Sequence, residues 1–189
     1  ETGRHLERTK NYKAALAEQL RRNKKYRKLI TTEFIEDISD AAPLHDIGKV
    51  GIRDSILLKE SQLTHEEYEE MKEHVRIGEQ ILQDAINKFK RKQPFLFVGR
   101  NICAYHHEKY NGKGYPEGLK GQEIPPEARI FTLCDTYDAI RSKRSYKDAL
   151  SHEVAVRRIM SDSGEHFDPD IVDAFLKIEN EFAKICNAK

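Results

Sequence analysis

The sequence has few of the features that mark a secreted or membrane-spanning protein. Of its 189 residues, none is tryptophan, two are methionine and three are cysteine. The cysteines, Cys103, Cys134 and Cys186, are odd in number and widely spaced, so they predict neither a disulfide framework nor a CxxC metal site. No apolar run approaches the roughly 18–20 residues that a membrane helix needs, and no signal peptide is recognisable. We therefore expect a cytoplasmic protein without membrane contact.

The chain also lacks an excess of charge of either sign. Lys and Arg together number 33, Asp and Glu number 32, and the formal net charge is +1. Because a general nucleic-acid binder carries a basic surface, we expect no nucleic-acid partner. The basic run Arg21–Arg27 is typical of a solvated helix end. The length indicates one domain, and Glu1 begins a helix without a capping residue, which predicts a longer parent chain.

Apolar residues recur at helical spacing through most of the chain, and period-two alternation is almost absent. The pattern therefore predicts an all-α, single-domain helical bundle. Helices are expected over residues 1–26, from a cap at Thr31 or Thr32, from a capping box at Thr64–Glu67 to about residue 90, over Phe95–Tyr105, from Pro125-Pro126, and as two closing helices from Ser151 and Asp168-Pro169. Residues 108–125, rich in glycine and proline, predict an ordered loop.

Five histidines and three carboxylates form the candidate metal ligands. Any one of these histidines alone is more typical of a packed or surface residue. The adjacent pairs His106-His107 and His45-Asp46 favour ligation, and Glu1 and His5 share a helix face at four-residue spacing. Imidazole and carboxylate donors without thiolates suit iron, manganese, nickel or zinc. The set is Glu1, His5, His45, Asp46, His74, His106, His107 and Asp135.

Eight ligands exceed what one ion uses, because a metal takes roughly four to six donors and catalysis needs open positions. Two ions bridged by Asp46 satisfy this arithmetic, and such a pair polarises phosphate oxygens and activates a bridging hydroxide. The site therefore predicts phosphoester hydrolysis. Lys49 follows Asp46 by three residues and is expected to place a cation on the phosphate; the alternative is a surface lysine.

Three motifs in order carry a family resemblance: Leu44–Lys49 (LHDIGK), His106-His107-Glu108 and Asn111–Pro116 (NGKGYP). At this spacing the sequence resembles the HD-GYP family, a subgroup of the HD metal-dependent phosphohydrolases. The resemblance covers nearly the whole chain and implies that residues 1–189 form one catalytic domain.

The resemblance implies a bacterial signal-transduction domain that hydrolyses cyclic di-GMP to pGpG, and in some members onward to GMP. It implies two or three divalent ions, iron or manganese first, with nickel and zinc as alternatives. Seven of the eight candidates match the family's ligands, and Glu1 matches a carboxylate that completes a third metal site in some members. Lys49, Arg144 and Lys147 match phosphate contacts, and Gly114, Tyr115 and Pro116 match the signature loop at the active-site mouth.

Some alternatives stay open at this point. Arg144 and Lys147 also fit a solvated basic face, and Tyr115 either stacks on a guanine or packs its own loop. The substrate is cyclic di-GMP, another cyclic dinucleotide such as a hybrid cyclic GMP-AMP, or a nucleotide monophosphate. A different class is a catalytically idle module that binds partners such as diguanylate cyclase domains through the Gly114-Tyr115-Pro116 loop.

Overall fold

The structure, a computed structural model, describes residues 3–89, 93–142 and 149–188. Within these ranges the chain forms helices without any β-strand, and the all-α prediction is confirmed. Short 3₁₀ segments connect some of the helices at Ala42–Leu44, Ile47–Gly51 and Gly121–Glu123. The α-helices are α1 (Gly3–Arg21), α2 (Thr32–Ala41), α3 (Asp54–Leu57), α4 (His65–Lys72), α5 (His74–Lys88), α6 (Pro94–Tyr105), α7 (Pro126–Arg141), α8 (His152–Ser161), α9 (Pro169–Leu176) and α10 (Glu179–Asn187).

Helix α7 is the centre of the fold, because side chains on all of its faces are buried. The four consecutive residues Ile130–Leu133 are all buried, although successive side chains on a helix point about 100° apart around its axis. A surface helix exposes a polar face, so burial around the circumference requires partners on every side. Helices α1, α6, α8 and α9 supply them.

Aromatic side chains fix α10 to this core. Tyr12 of α1 stacks on Phe182 of α10 at a centroid distance of 4.6 Å, and meets Tyr137 of α7 edge-on at 5.3 Å. Both arrangements are favourable for aromatic pairs, which bury more area than most side chains. The three helices therefore share one contiguous apolar core.

Three predicted helix starts are confirmed by their caps. The Thr64 hydroxyl accepts from the Glu67 amide while the Glu67 carboxylate accepts from the Thr64 amide. The hydroxyl of Ser151 and the carboxylate of Asp168 likewise accept backbone amides at the starts of α8 and α9. Local capping chemistry thus specified these boundaries.

Three helix predictions were wrong in extent. Helix α1 ends at Arg21 rather than near residue 26, because Asn23 accepts the Lys25 amide and stabilises a turn. The helix predicted from Thr64 to residue 90 breaks at Glu73. There the Nδ1 atom of His74 hydrogen-bonds to the Met71 carbonyl oxygen, which in a continuous helix would accept a backbone amide. The chain closes with three helices rather than two, because α10 follows α9. The sequence did not indicate this break, since no glycine or proline lies between the two helices.

The three cysteines are free thiols, and Cys103 and Cys134 are buried, in agreement with the prediction that they form no disulfide framework. No helix in the described ranges has both the length and the apolar composition needed to cross a lipid bilayer.

At Gly48 the backbone of the 3₁₀ segment Ile47–Gly51 packs closely against the backbone of α5. A Cβ atom on Gly48 would lie 1.9 Å from the His74 carbonyl oxygen and 2.5 Å from the Gly78 nitrogen. We expect Gly48→Ala to lower the free energy of unfolding by about 1–3 kcal/mol, because neither backbone can yield without shifting an element. Urea unfolding in the presence of a chelator measures this.

The matched control is Gly3→Ala, because no atom lies within 4 Å of the added Cβ. That variant should be neutral or stabilised by a fraction of a kcal/mol, since alanine favours the helix. Equal stability of Gly48→Ala and the wild-type chain would contradict the close approach.

Candidate metal centre

Three imidazoles form the most compact ligand cluster in the described chain. His74 begins α5, and His106 and His107 follow the last turn of α6. One ring nitrogen from each lies within 4.8 Å of the others. The rings of His106 and His107 are 4.0 Å apart, and that of His74 is 5.5 and 5.2 Å from them. Three convergent imidazoles at this separation suit one transition-metal ion.

Backbone carbonyls fix the tautomer of two of these rings. Nδ1 of His74 lies 2.7 Å from the Met71 carbonyl oxygen, and Nδ1 of His106 lies 3.0 Å from that of Ile102. A carbonyl only accepts, so Nδ1 donates and Nε2 carries the lone pair. A metal-ligating histidine is usually held in this way.

The Nε2 atom of His74 is available to a metal ion, because its lone pair is not used in a hydrogen bond to any described residue. It is buried and has no hydrogen-bond partner in the described chain. An unsatisfied buried acceptor is costly, and a bound cation removes that cost. The residues present therefore fit a divalent metal ion.

Burial keeps the three imidazoles neutral. It lowers the pKa of His74, lowers that of His106 well below the usual range, and lowers that of His107 to about 3. Neighbouring histidines lower the pKa of each ring further. Because only the neutral ring ligates a metal, the cluster is prepared for binding near neutral pH.

Asp46 links this cluster to His45 and Lys49. Its Oδ2 lies 3.2 Å from His45 Nε2 and 2.6 Å from Lys49 Nζ, while its Oδ1 lies 3.6 Å from His74 Nε2. Burial raises the pKa of the Asp46 carboxyl, but hydrogen bonds and charge from His45 and Lys49 outweigh burial and hold the pKa well below its usual range. The carboxylate is thus ionised, with each oxygen near a different partner.

A second group of side chains joins α1 to α7. His5 Nε2 lies 3.9 Å from Asp135 Oδ1, and His5 Nδ1 lies 2.6 Å from Asp138 Oδ2. Arg8 makes two hydrogen bonds to the Asp138 carboxylate, at 2.7 and 2.9 Å. Burial raises the pKa of Asp138, but His5 and Arg8 lower it to about 2. Asp138 therefore orients His5 toward Asp135.

Phe131 connects the two groups. Its ring lies 4.8 Å from that of His45 and 5.9 Å from that of His106. Asp135 is one turn further along α7, on the same face. The hydroxyl of Thr132 also donates to the His106 carbonyl. Helix α7 thus borders both groups of candidate ligands.

The sequence-predicted residues divide into three sets. The first set comprises the two groups of side chains described above. In one group His45, Asp46 and Lys49 lie beside the three imidazoles, and in the other His5 lies beside Asp135. The second is the signature loop, whose Tyr115 ring stacks on His107 at 4.7 Å. The peptide bond between Tyr115 and Pro116 in this loop is cis. The third set, Glu1, Arg144 and Lys147, lies outside the described residues.

Sequence reasoning missed the role of Asp138. Asp138 is absent from the candidate ligands, although its position three residues after Asp135 on one helix face indicates a shared site. Tyr115 was associated with a guanine or with loop packing, and nothing in the pattern indicated a contact with His107.

Comparison with known proteins decides the family. The HD domain profile matches residues 4–171. The chain belongs to the HD domain family. Proteins with HD domains bind divalent metal ions, which agrees with the imidazole cluster. The recognition drawn from the HD, HHE and GYP motifs is confirmed.

Two curated relatives and one solved structure show how this HD domain resembles others. A cyclic di-GMP phosphodiesterase of Vibrio cholerae serotype O1 is 48% identical over 98% of this chain and 37% of its own length. A 3'3'-cGAMP-specific phosphodiesterase 2 of the same organism is 38% identical over 98% of this chain and 33% of its own length. The chain thus spans well under half of these relatives. An HDG"Y"P protein from Bdellovibrio bacteriovorus has the same fold, with a TM-score of 0.64 at 20% identity over 95% of this chain and 51% of that one.

Proposed function

We propose that this HD domain is the catalytic part of a metal-dependent phosphodiesterase that hydrolyses cyclic di-GMP to pGpG and onward to GMP. The observation that carries the proposal is the buried triad His74, His106 and His107 in a chain 48% identical to a cyclic di-GMP phosphodiesterase. The triad has the donors for a divalent ion, and the relative indicates the substrate.

The residues that would hold the metals are His5, His45, Asp46, His74, His106, His107 and Asp135. When bound, divalent ions supply Lewis-acid polarisation of a phosphoryl oxygen and lower the pKa of water. We propose two ions, iron or manganese, with a third if Glu1 takes part. A metal titration that ends at two or at three ions per chain decides this number.

Lys49 has a separate task in this proposal. Its ammonium lies 2.6 Å from Asp46 Oδ2, and its side chain is 40% exposed at the edge of the cluster. A cation there faces the phosphodiester as negative charge builds on its oxygens, which stabilises the transition state. Arg144, Lys147 and the Gly114-Tyr115-Pro116 loop are proposed to contact the substrate as well.

A second candidate is hydrolysis of 3'3'-cGAMP, favoured by the relative that is specific for that dinucleotide. The two substrates differ in one base, so the metal cluster does not discriminate between them. Parallel digests of cyclic di-GMP and 3'3'-cGAMP, separated by chromatography, test the choice. We expect a higher kcat/KM for cyclic di-GMP, and the reverse ratio would favour the second candidate.

The same digest tests the idle-module alternative. If the metal-loaded chain leaves both dinucleotides intact, the proposal fails and a binding role for the signature loop, with diguanylate cyclase domains as partner, is favoured. A cytoplasmic location is part of the proposal, since cyclic di-GMP signalling takes place there.

A further inference from the structure

His107 differs from the other candidate histidines in how its ring is held. His74 and His106 donate from Nδ1 to backbone carbonyls, and His5 contacts the Asp138 carboxylate. In the part of the chain that the structure describes, neither ring nitrogen of His107 makes a hydrogen bond. Some other contact must fix its orientation.

The ring of Tyr115 lies against the ring of His107 and supplies such a contact. It is nearly parallel to the His107 ring, at 17° and 4.7 Å between centroids. The ammonium of Lys72 lies 5.4 Å from the centroid of the same Tyr115 ring. Tyr115 thus has an imidazole and a cation as neighbours of its ring.

Glu108 holds the loop that carries Tyr115. Its side chain is only 2% exposed, and its Oε1 accepts the amides of Glu117 and Gly118 at 2.8 and 3.0 Å. These bonds tie the far end of the signature loop to the residue that directly follows His107. The loop is therefore anchored on both sides of Tyr115.

Gly114 lets the loop fold back on its own start. A Cβ on Gly114 would lie 2.4 Å from the Glu108 Cα and 2.3 Å from the Lys109 nitrogen, so only glycine fits. The Tyr115 amide donates to the His107 carbonyl at 3.3 Å. Backbone and ring of Tyr115 thus both contact His107.

We infer that Tyr115 is a positioning residue for the metal centre: it fixes the His107 ring by stacking, and Glu108 holds its loop in place. This contact replaces the hydrogen bond that orients each of the other rings. The inference rests on the proposed metal centre but not on the identity of the substrate. Loss of an outer partner of a metal ligand typically weakens metal binding about 10–100-fold.

The test compares Tyr115→Leu with Tyr115→Phe in the chain loaded with Mn²⁺. We expect Tyr115→Leu to raise the dissociation constant of one Mn²⁺ ion about 10–100-fold, whereas Tyr115→Phe keeps the ring and the wild-type constant. Electron paramagnetic resonance during the titration measures free Mn²⁺. If Tyr115→Leu does not fold, Tyr115→Met serves the same comparison.

Tyr110→Leu is the matched control, because Tyr110 lies in the same glycine-rich segment (residues 108–125), and among the described residues only Tyr115 of that segment stacks on His107. It should bind Mn²⁺ as the wild type does. The thermal midpoint of each variant in chelator shows whether a loss of affinity comes from loss of fold. A lower affinity with an unchanged midpoint supports positioning.

Two results would overturn the inference. One is a wild-type Mn²⁺ constant for Tyr115→Leu with a raised KM for the dinucleotide, since that indicates guanine stacking. The other is equal loss of affinity in Tyr115→Phe, since the ring would then be irrelevant. Because Mn²⁺ binding is read without substrate, a chain that fails to hydrolyse cyclic di-GMP refutes the proposed function and leaves this test intact.

Discussion

Asp46→Asn should abolish cyclic di-GMP hydrolysis and reduce the metal content of the purified protein. Asp46 is the carboxylate that lies within 3.6 Å of His74 Nε2 and within 3.2 Å of His45 Nε2, so it joins candidate ligands from two elements. Removing its charge would weaken the binding of a divalent ion at these ligands. Since a metal supplies several kcal/mol of transition-state stabilisation, we expect kcat/KM to fall by about 10³-fold or more.

Metal analysis and a timed digest of the same preparation measure both effects. The control is Asp173→Asn, which makes the same change at an exposed position of α9. It should keep the metal content and the rate of the wild-type chain. Full metal content together with full activity in Asp46→Asn would refute the role of this carboxylate.

Lys49→Met should retain the metals but lower kcat/KM about 10²–10³-fold. The ammonium acts on the negative charge that develops on the phosphodiester, and loss of one such group typically has this effect. Metal binding should be at least as tight as in the wild type, because a positive charge 2.6 Å from Asp46 Oδ2 is removed from the cluster.

The control for Lys49→Met is Lys24→Met, an exposed lysine in the turn after α1. Activity and metal content are measured together for both variants. If Lys49→Met lost its metals as completely as Asp46→Asn, the division between a metal-binding carboxylate and a phosphate-binding lysine would be wrong.

The sequence was sufficient for those features that depend on local chemistry. The starts of α4, α8 and α9 follow from side-chain caps that lie within three residues of the helix, so Thr64, Ser151 and Asp168 identified them. The ligand candidates were likewise recognisable, because the HD and HHE motifs place donors at adjacent positions in the chain.

Features that depend on distant or competing contacts were not predictable in this way. The break between α4 and α5 arises because the His74 ring competes for the Met71 carbonyl, and helical periodicity continues across it. The stack of Tyr115 on His107 depends on the tertiary path of the loop. The orientation of His5 by Asp138 joins residues 133 positions apart.

The most direct test of the central claim is stepwise reconstitution of the metal-free chain with Mn²⁺ or Fe²⁺, with bound metal and cyclic di-GMP hydrolysis measured at each step. The account predicts no hydrolysis without metal, and a rate that rises with occupancy and saturates at two or three ions per chain. Undiminished hydrolysis by the metal-free chain, or none by the fully loaded chain, would contradict it.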